Sequence, residues 1–166
     1  MAALVTWIAG HVKPWSDLFA ARAAVEGGVV FLHLGGVLSA GGLAFTLDRA
    51  VFRSRRHGWP HRNDLAREIH LSHGAVLVGL AAVFLSGLAL TASDPEVFLN
   101  SWIYWAKMGG VALLLGNGWL LKRAGERLLA SPDDDGAFQS LQRAALRSAG
   151  LWAVSLLAGV AITLYA

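Results

Sequence analysis

Cysteine is absent from this chain, which excludes disulfides, CxxC redox chemistry and thiolate ligation of metals or iron–sulfur clusters. Charge is scarce. Asp, Glu, Lys and Arg make up 15% of the residues, against roughly 25% in ordinary soluble domains. No GxGxxG, P-loop, HExxH or GxSxG occurs, so none of the common soluble-enzyme motifs competes for an assignment. There is no internal repeat. No Lys or Arg precedes the first apolar run, and His11 and Lys13 interrupt it, so MAALVTWIAGHVKPW reads as mature protein rather than a signal peptide.

What is abundant is apolar surface: 55% of the residues are hydrophobic and the mean hydropathy is +0.52. Those values belong to an integral membrane protein. The pI near 9.8 raises the question of nucleic acid, but the excess arginine is gathered in two loops between apolar segments, where the membrane explains it better. One long uncharged stretch is Gly27 to Leu47, GGVVFLHLGGVLSAGGLAFTL, without one Asp, Glu, Lys or Arg. It is long enough to cross a hydrocarbon core of about 30 Å. His33 is its single ionisable group, and such a group at membrane depth usually faces the protein interior or a cavity.

The expected architecture is all-α: an integral membrane four-helix bundle with an N-terminal interfacial amphipathic segment. Residues 1–26 form that segment, with Trp7 and Trp15 as interfacial anchors and Pro14 opening a short helix; a lid over a site on that side is the sharper alternative. Residues 27–166 form the membrane domain, with spans at about 27–52, 68–91, 100–121 and 145–165. The turn SDPE closes the second span, and the third opens on Trp102, Tyr104 and Trp105. Asp133 to Asp135 reads as a solvated turn. Eleven of the fourteen Lys and Arg lie in or beside the two loops on one side. The positive-inside rule therefore puts both basic loops in the cytoplasm of a bacterial inner membrane and both termini outside.

Antiparallel helices permit a depth estimate at about 1.5 Å per residue. His33 and Lys107 each fall about six residues in from the outer end of a span, roughly 8–10 Å beneath the surface. Met108 adjoins Lys107, and the small residues Gly36, Ala40 and Ala44 continue the His33 helix. Such a strip admits close helix packing or leaves room for a flat ligand. Near the inner face fall His70 and His73, three apart on one helix side, with Asp48 and Asn117 at comparable depth and His57 and His61 just below. Imidazole and carboxylate groups of this kind hold zinc or copper. His33 and His73 come out about 20 Å apart in depth, too far to ligate one haem together. Structural readings stand beside these: His33 as an interhelical hydrogen bonder, Lys107 snorkelling outward, His70 and His73 facing headgroups, and Asp48 paired with Arg49.

The pattern FLHLGGVLSAGGLAF, followed by WIYWAKMGGVALLLGNGWLLKR, resembles a group of small membrane proteins that includes the HemJ-type protoporphyrinogen oxidases and the CopD-type copper-resistance domains. In that resemblance His33 matches the histidine early in one helix, and Lys107 matches the lysine after Trp102 or Trp105. The HemJ side implies a haem- or porphyrin-associated redox protein; the CopD side implies copper handling. Only Met1 and Met108 are available as thioethers, which counts against copper transport. The N-terminal segment and the His70, His73 pair have no counterpart in the HemJ pattern.

The leading expectation is a membrane protein binding haem b or a porphyrin, with His33 as axial ligand or macrocycle contact and Gly36, Ala40 and Met108 around the ring. Lys107 then pairs with a propionate or, in an enzyme, moves a proton as the catalytic group. Electrons go to a quinone or a membrane redox partner, since no flavin or nicotinamide motif is visible. Two other classes stay open. One is a non-enzymatic accessory subunit of a larger pigment- or haem-containing complex, or a homo-oligomer. The other is copper or zinc handling through His33, His70, His73 and Asp48. The bilayer is the partner common to all three, and nucleic acid belongs to none.

Overall fold

A computed structural model describes the backbone of residues 2–57 and 60–165; the side chains of residues 2, 55–57, 60, 61, 63 and 165 lie outside that description. Six helices follow one another, and no strand occurs among the described residues: α1 (Ala2–Ala21), α2 (Ala23–His57), α3 (Pro60–Ser93), α4 (Pro95–Asn100), α5 (Trp102–Ala130) and α6 (Asp135–Tyr165). The all-α expectation holds. Ala23–Ser54, Asp64–Ser93 and Asp135–Leu164 are each long and apolar enough to cross a membrane. Within their most apolar windows only 6–17% of the residues are buried inside the chain, so most of that apolar surface faces outward and needs lipid. α5 has comparable length, but Lys107, Asn117 and its tryptophans dilute its hydropathy.

The four long helices pack in a ring, α2 on α3, α3 on α5, α5 on α6 and α6 on α2. Every neighbouring pair is antiparallel, as the matched residues require: His33 with Ser86, Thr91 with Tyr104, Asn117 with Ala144, and Gly41 with Trp152. α1 covers the end of the bundle remote from the arginine-rich segments, the outer end of the expected topology. Its Trp15 indole donates to Ala89 O at 2.8 Å, and its Ser16 hydroxyl donates to Ser93 O at 2.7 Å. The second bond satisfies a carbonyl that the end of α3 leaves open. The first helix begins at Ala2 and carries Pro14 inside it, instead of starting at Pro14. The chain breaks at Arg22, so the next helix starts four residues before the expected Gly27. The SDPE turn forms the N-terminus of α4, where the Asp94 carboxylate caps Val97 N at 3.2 Å.

The inner end departs most from expectation. Both basic loops are largely helix: α3 starts at Pro60 rather than 68, α5 runs on to Ala130, and α6 starts ten residues before 145. Arg, Ala, Leu and Glu are good helix formers, so nothing stops the backbone where the apolar slab ends. These extensions bury the tightest core of the molecule. Leu47, Val51, Leu65, Ala66, Ile69, Ala124, Leu128, Ala137, Phe138, Leu141 and Ala145 form one cluster, with Val51, Leu128 and Leu141 fully enclosed. Spacings such as 137, 138, 141 and 145 are one helical stripe. The acidic run is structural too. Asp134 Oδ1 caps α6 through Gly136 N and Ala137 N, and Asp135 pairs with Arg62 at 2.8 Å while that guanidinium lies over the Phe138 ring.

The α2–α3 contact is made by small residues. A Cβ on Gly79 would sit 2.9 Å from the Ala40 Cβ and 3.3 Å from its backbone; one on Gly36 would meet Val83 Cγ2 at 2.9 Å. Gly79→Val should therefore force the two backbones apart and cost about 1–3 kcal/mol. Thermal unfolding in detergent, followed by tryptophan fluorescence, measures this. Gly42→Ala, at a position open on all sides, should show no such loss.

Candidate functional site

Polar side chains gather at two levels of the bundle. At the outer level, His33 of α2 meets Ser86 of α3, Nδ1 to Oγ, at 3.0 Å. Ser86 has one hydroxyl proton, and its Oγ lies 2.5 Å from Ala82 O and 3.1 Å from Val83 O, so that proton goes to the helix's own carbonyls. Ser86 Oγ is thus free to accept from His33 Nδ1, the Val83 carbonyl is a second acceptor for the ring, and a neutral ring donating from Nδ1 keeps its lone pair on Nε2. Gly87 lies alongside, where a Cβ would be in van der Waals contact with the imidazole Cε1 at 3.4 Å.

Lys107 of α5 is near enough to interact electrostatically with His33. Its Nζ rests against Gly159 of α6, where a Cβ would lie 3.5 Å away. Among the described residues no acceptor or carboxylate pairs with it. The level match expected between His33 and Lys107 is therefore present. Met108 is half-buried next to it. The aromatic start of α5 is held in place just above, with Trp105 Nε1 donating to Leu99 O at 3.0 Å and Tyr104 edge-on to Trp105.

Gly36 and Ala40, expected to leave room for a ring, do not do so along α3. Gly79 and Val83 fill the space at both, and Ala40 is buried. Helix packing has taken this strip. Only Ala44, one turn further on, opens onto a cavity.

That cavity, about 300 Å³, lies at the inner level between all four long helices. Asp48, His73, Asn117, Ser148 and Lys122 line it among leucines, Trp119 and Trp152. Asp48 is 2% exposed and makes no ion pair with Arg49, which points outward. Ser148 faces its carboxyl, while Oδ2 has no hydrogen-bond partner. Asn117, 6% exposed, donates from Nδ2 to Ala144 O at 2.8 Å, and its Oδ1 is likewise unpartnered.

His70 and His73 part company. Both line a second pocket of about 130 Å³ with Lys122 and Glu126, but only His73 reaches the larger cavity, and His70 is exposed. His33 stands level with Ser86, thirteen residues along α3 from His73 and so about 20 Å away. The metal set His33, His70, His73 and Asp48 is thus not assembled at one point, and no group of three or more His, Asp or Glu close enough for a metal ion occurs among the described residues. The side chains of His57 and His61 lie outside the described residues.

Sequence reasoning overlooked Ser86, Gly87, Gly159 and Ser148. Small and hydroxylated residues are common in membrane helices, so only their partners across the bundle distinguish them. No family model, curated protein or solved structure matches the chain.

Proposed function

We propose that this chain is a four-span protein of the bacterial cytoplasmic membrane that binds haem b or a porphyrin at its outer level and serves a redox role. α5 is the fourth span: it packs on α3 and α6 over the same levels as the three apolar helices, so it shares their slab. α1 lies at the outer interface, and the arginine-rich inner ends face the cytoplasm. The observation that carries the ligand reading is the orientation of His33. A ligating histidine almost always donates its other ring nitrogen to a fixed partner, and Ser86 is that partner here. Lys107, a cation with no carboxylate partner among the described residues, suits a propionate. Gly36 and Ala40 take no part in this reading; their faces belong to α3.

Haem bound there supplies one-electron chemistry, tuned by ligand and burial. The chain's own contribution is to hold the imidazole in one tautomer, offer a positive charge to the macrocycle's carboxylates, and exclude water. A quinone or a membrane partner protein exchanges the electrons. The test is an absorption spectrum, oxidised and then dithionite-reduced, of protein purified in mild detergent and supplied with haem. A Soret band with sharp reduced α and β bands is expected; a porphyrin spectrum without iron would select the porphyrin branch. Protein that stays colourless after supplementation would overturn the reading. Lys107→Ala should keep the band positions but lose the pigment faster on repeated washing.

A further inference from the structure

The two pockets of the inner level adjoin. Ile69, His73 and Lys122 line both, so the small polar one between α3 and α5 continues into the cavity of about 300 Å³. The polar part sets His70 and His73 of α3 beside Lys122 and Glu126 of α5. His73 is near enough to the other three to interact electrostatically with each. Lys122 and Glu126 stand 3.8 Å apart, with side chains 46% and 50% exposed. An ion pair this open contributes little, so both charges stay available to a ligand.

The apolar part opens sideways between the same two helices. Leu77 of α3 is 48% exposed there, and Leu115 and Trp119 of α5 are 47% and 55% exposed. Two glycines keep the seam from closing. Gly74 lines the polar part and Gly118 the apolar part, and a Cβ on either would meet nothing within 4 Å. The Arg123 guanidinium lies over the Trp119 ring at 4.4 Å, and tryptophan beside arginine marks headgroup depth. A mouth carrying both signs of charge above an apolar corridor fits an amphiphile whose head carries both signs. A quinone ring has no charge for Lys122 or Glu126 to meet. No group of three or more His, Asp or Glu suited to a metal ion occurs among the described residues. Asp48, Asn117 and Ser148, also on the cavity wall, are buried and take no part.

We propose that the α3–α5 cleft holds one phospholipid with a phosphoethanolamine head. Lys122 and the imidazole N–H groups of His70 and His73 donate to the phosphate, the ammonium donates to Glu126, and an acyl chain runs along Leu77, Leu115 and Trp119. This site rests on the membrane part of the proposed function and is independent of haem.

The test is native mass spectrometry of the full chain, purified in mild detergent and equilibrated with phosphatidylethanolamine, phosphatidylglycerol and diacylglycerol of identical chains. One retained lipid is expected. The ethanolamine head should be held about three- to fivefold better than the glycerol head, the range for a partly exposed charge pair, and diacylglycerol least. Lys122→Ala should bring both phospholipids toward diacylglycerol. Glu126→Gln should bring phosphatidylethanolamine down to phosphatidylglycerol without weakening the latter. Gly74→Leu, which grows into open space in the cleft, should lower retention of all three, and His33→Ala should change none. Equal retention of the three lipids would overturn the proposal. So would lipid ratios unchanged in Lys122→Ala or Glu126→Gln, or retention unaffected by Gly74→Leu. Displacement of phosphatidylethanolamine by decylubiquinone, undiminished in Lys122→Ala, would assign the cleft to a quinone instead. A chain that stays soluble without detergent would overturn the membrane reading, and this site with it.

Discussion

Leu141→Ala should destabilise the protein by about 2–5 kcal/mol, the range for emptying a fully enclosed leucine position. Leu141 is 0% exposed in the core cluster that also holds Leu128, Val51 and Phe138. That cluster lies among the arginine-rich ends of the four long helices, and its burial stabilises as in a soluble bundle. Leu38→Ala removes the same side-chain atoms from a position 77% exposed in the apolar part of α2. It should cost about 0.5 kcal/mol or less, because lipid or detergent tails replace its surroundings with little change. Thermal unfolding of both variants in the same detergent measures the contrast. Equal losses would mean that the outward leucines pack against protein, as in an oligomer, and not against lipid.

His33→Ala should abolish the Soret band of haem-supplemented protein altogether. A graded companion makes this specific. Ser86→Ala removes the side-chain acceptor for His33 but leaves the Val83 carbonyl bonded to the ring, so the loss in affinity should fall near the lower end of about 10–100-fold. The expected order is wild type, then Ser86→Ala with weakened retention and a shifted band, then His33→Ala colourless. His73→Ala should keep the colour, because His73 lies about 20 Å deeper along the bundle. Colour lost on replacing His73 but kept on replacing His33 would assign the ligand to the inner level.

Much of this was readable from residue types alone. An uncharged stretch such as 27–47 can only be helix at membrane depth, and counting residues along antiparallel helices was enough to put His33 and Lys107 at one level and His73 at another. Asp48 and Asn117 were legible as a pair at similar depth. What counting could not tell was the fate of each face. Asp48 next to Arg49 reads as a local ion pair, yet adjacent helical residues point about 100° apart, and here one turns into the bundle while the other turns out. The glycine strip reads equally as packing surface or ligand cradle until the opposing residues are known; Gly79 and Val83 decide for packing. The basic segments read as loops because arginine marks a membrane edge, although the stripe 137, 138, 141 and 145 carried the signal for a continuing helix.

The sequence by itself determined an all-α chain with helices long and apolar enough to cross a membrane, and the relative levels of His33, Lys107 and His73, because hydrophobicity and the helical rise act along the chain. The tertiary structure alone decided which polar atoms find partners: Ser86 for His33, Ala144 for Asn117, and, among the described residues, none for Lys107 Nζ or Asp48 Oδ2. Hydrogen bonds and cavities depend on how neighbouring helices are rotated and how closely they approach. Those two quantities are set by side chains far apart in the chain.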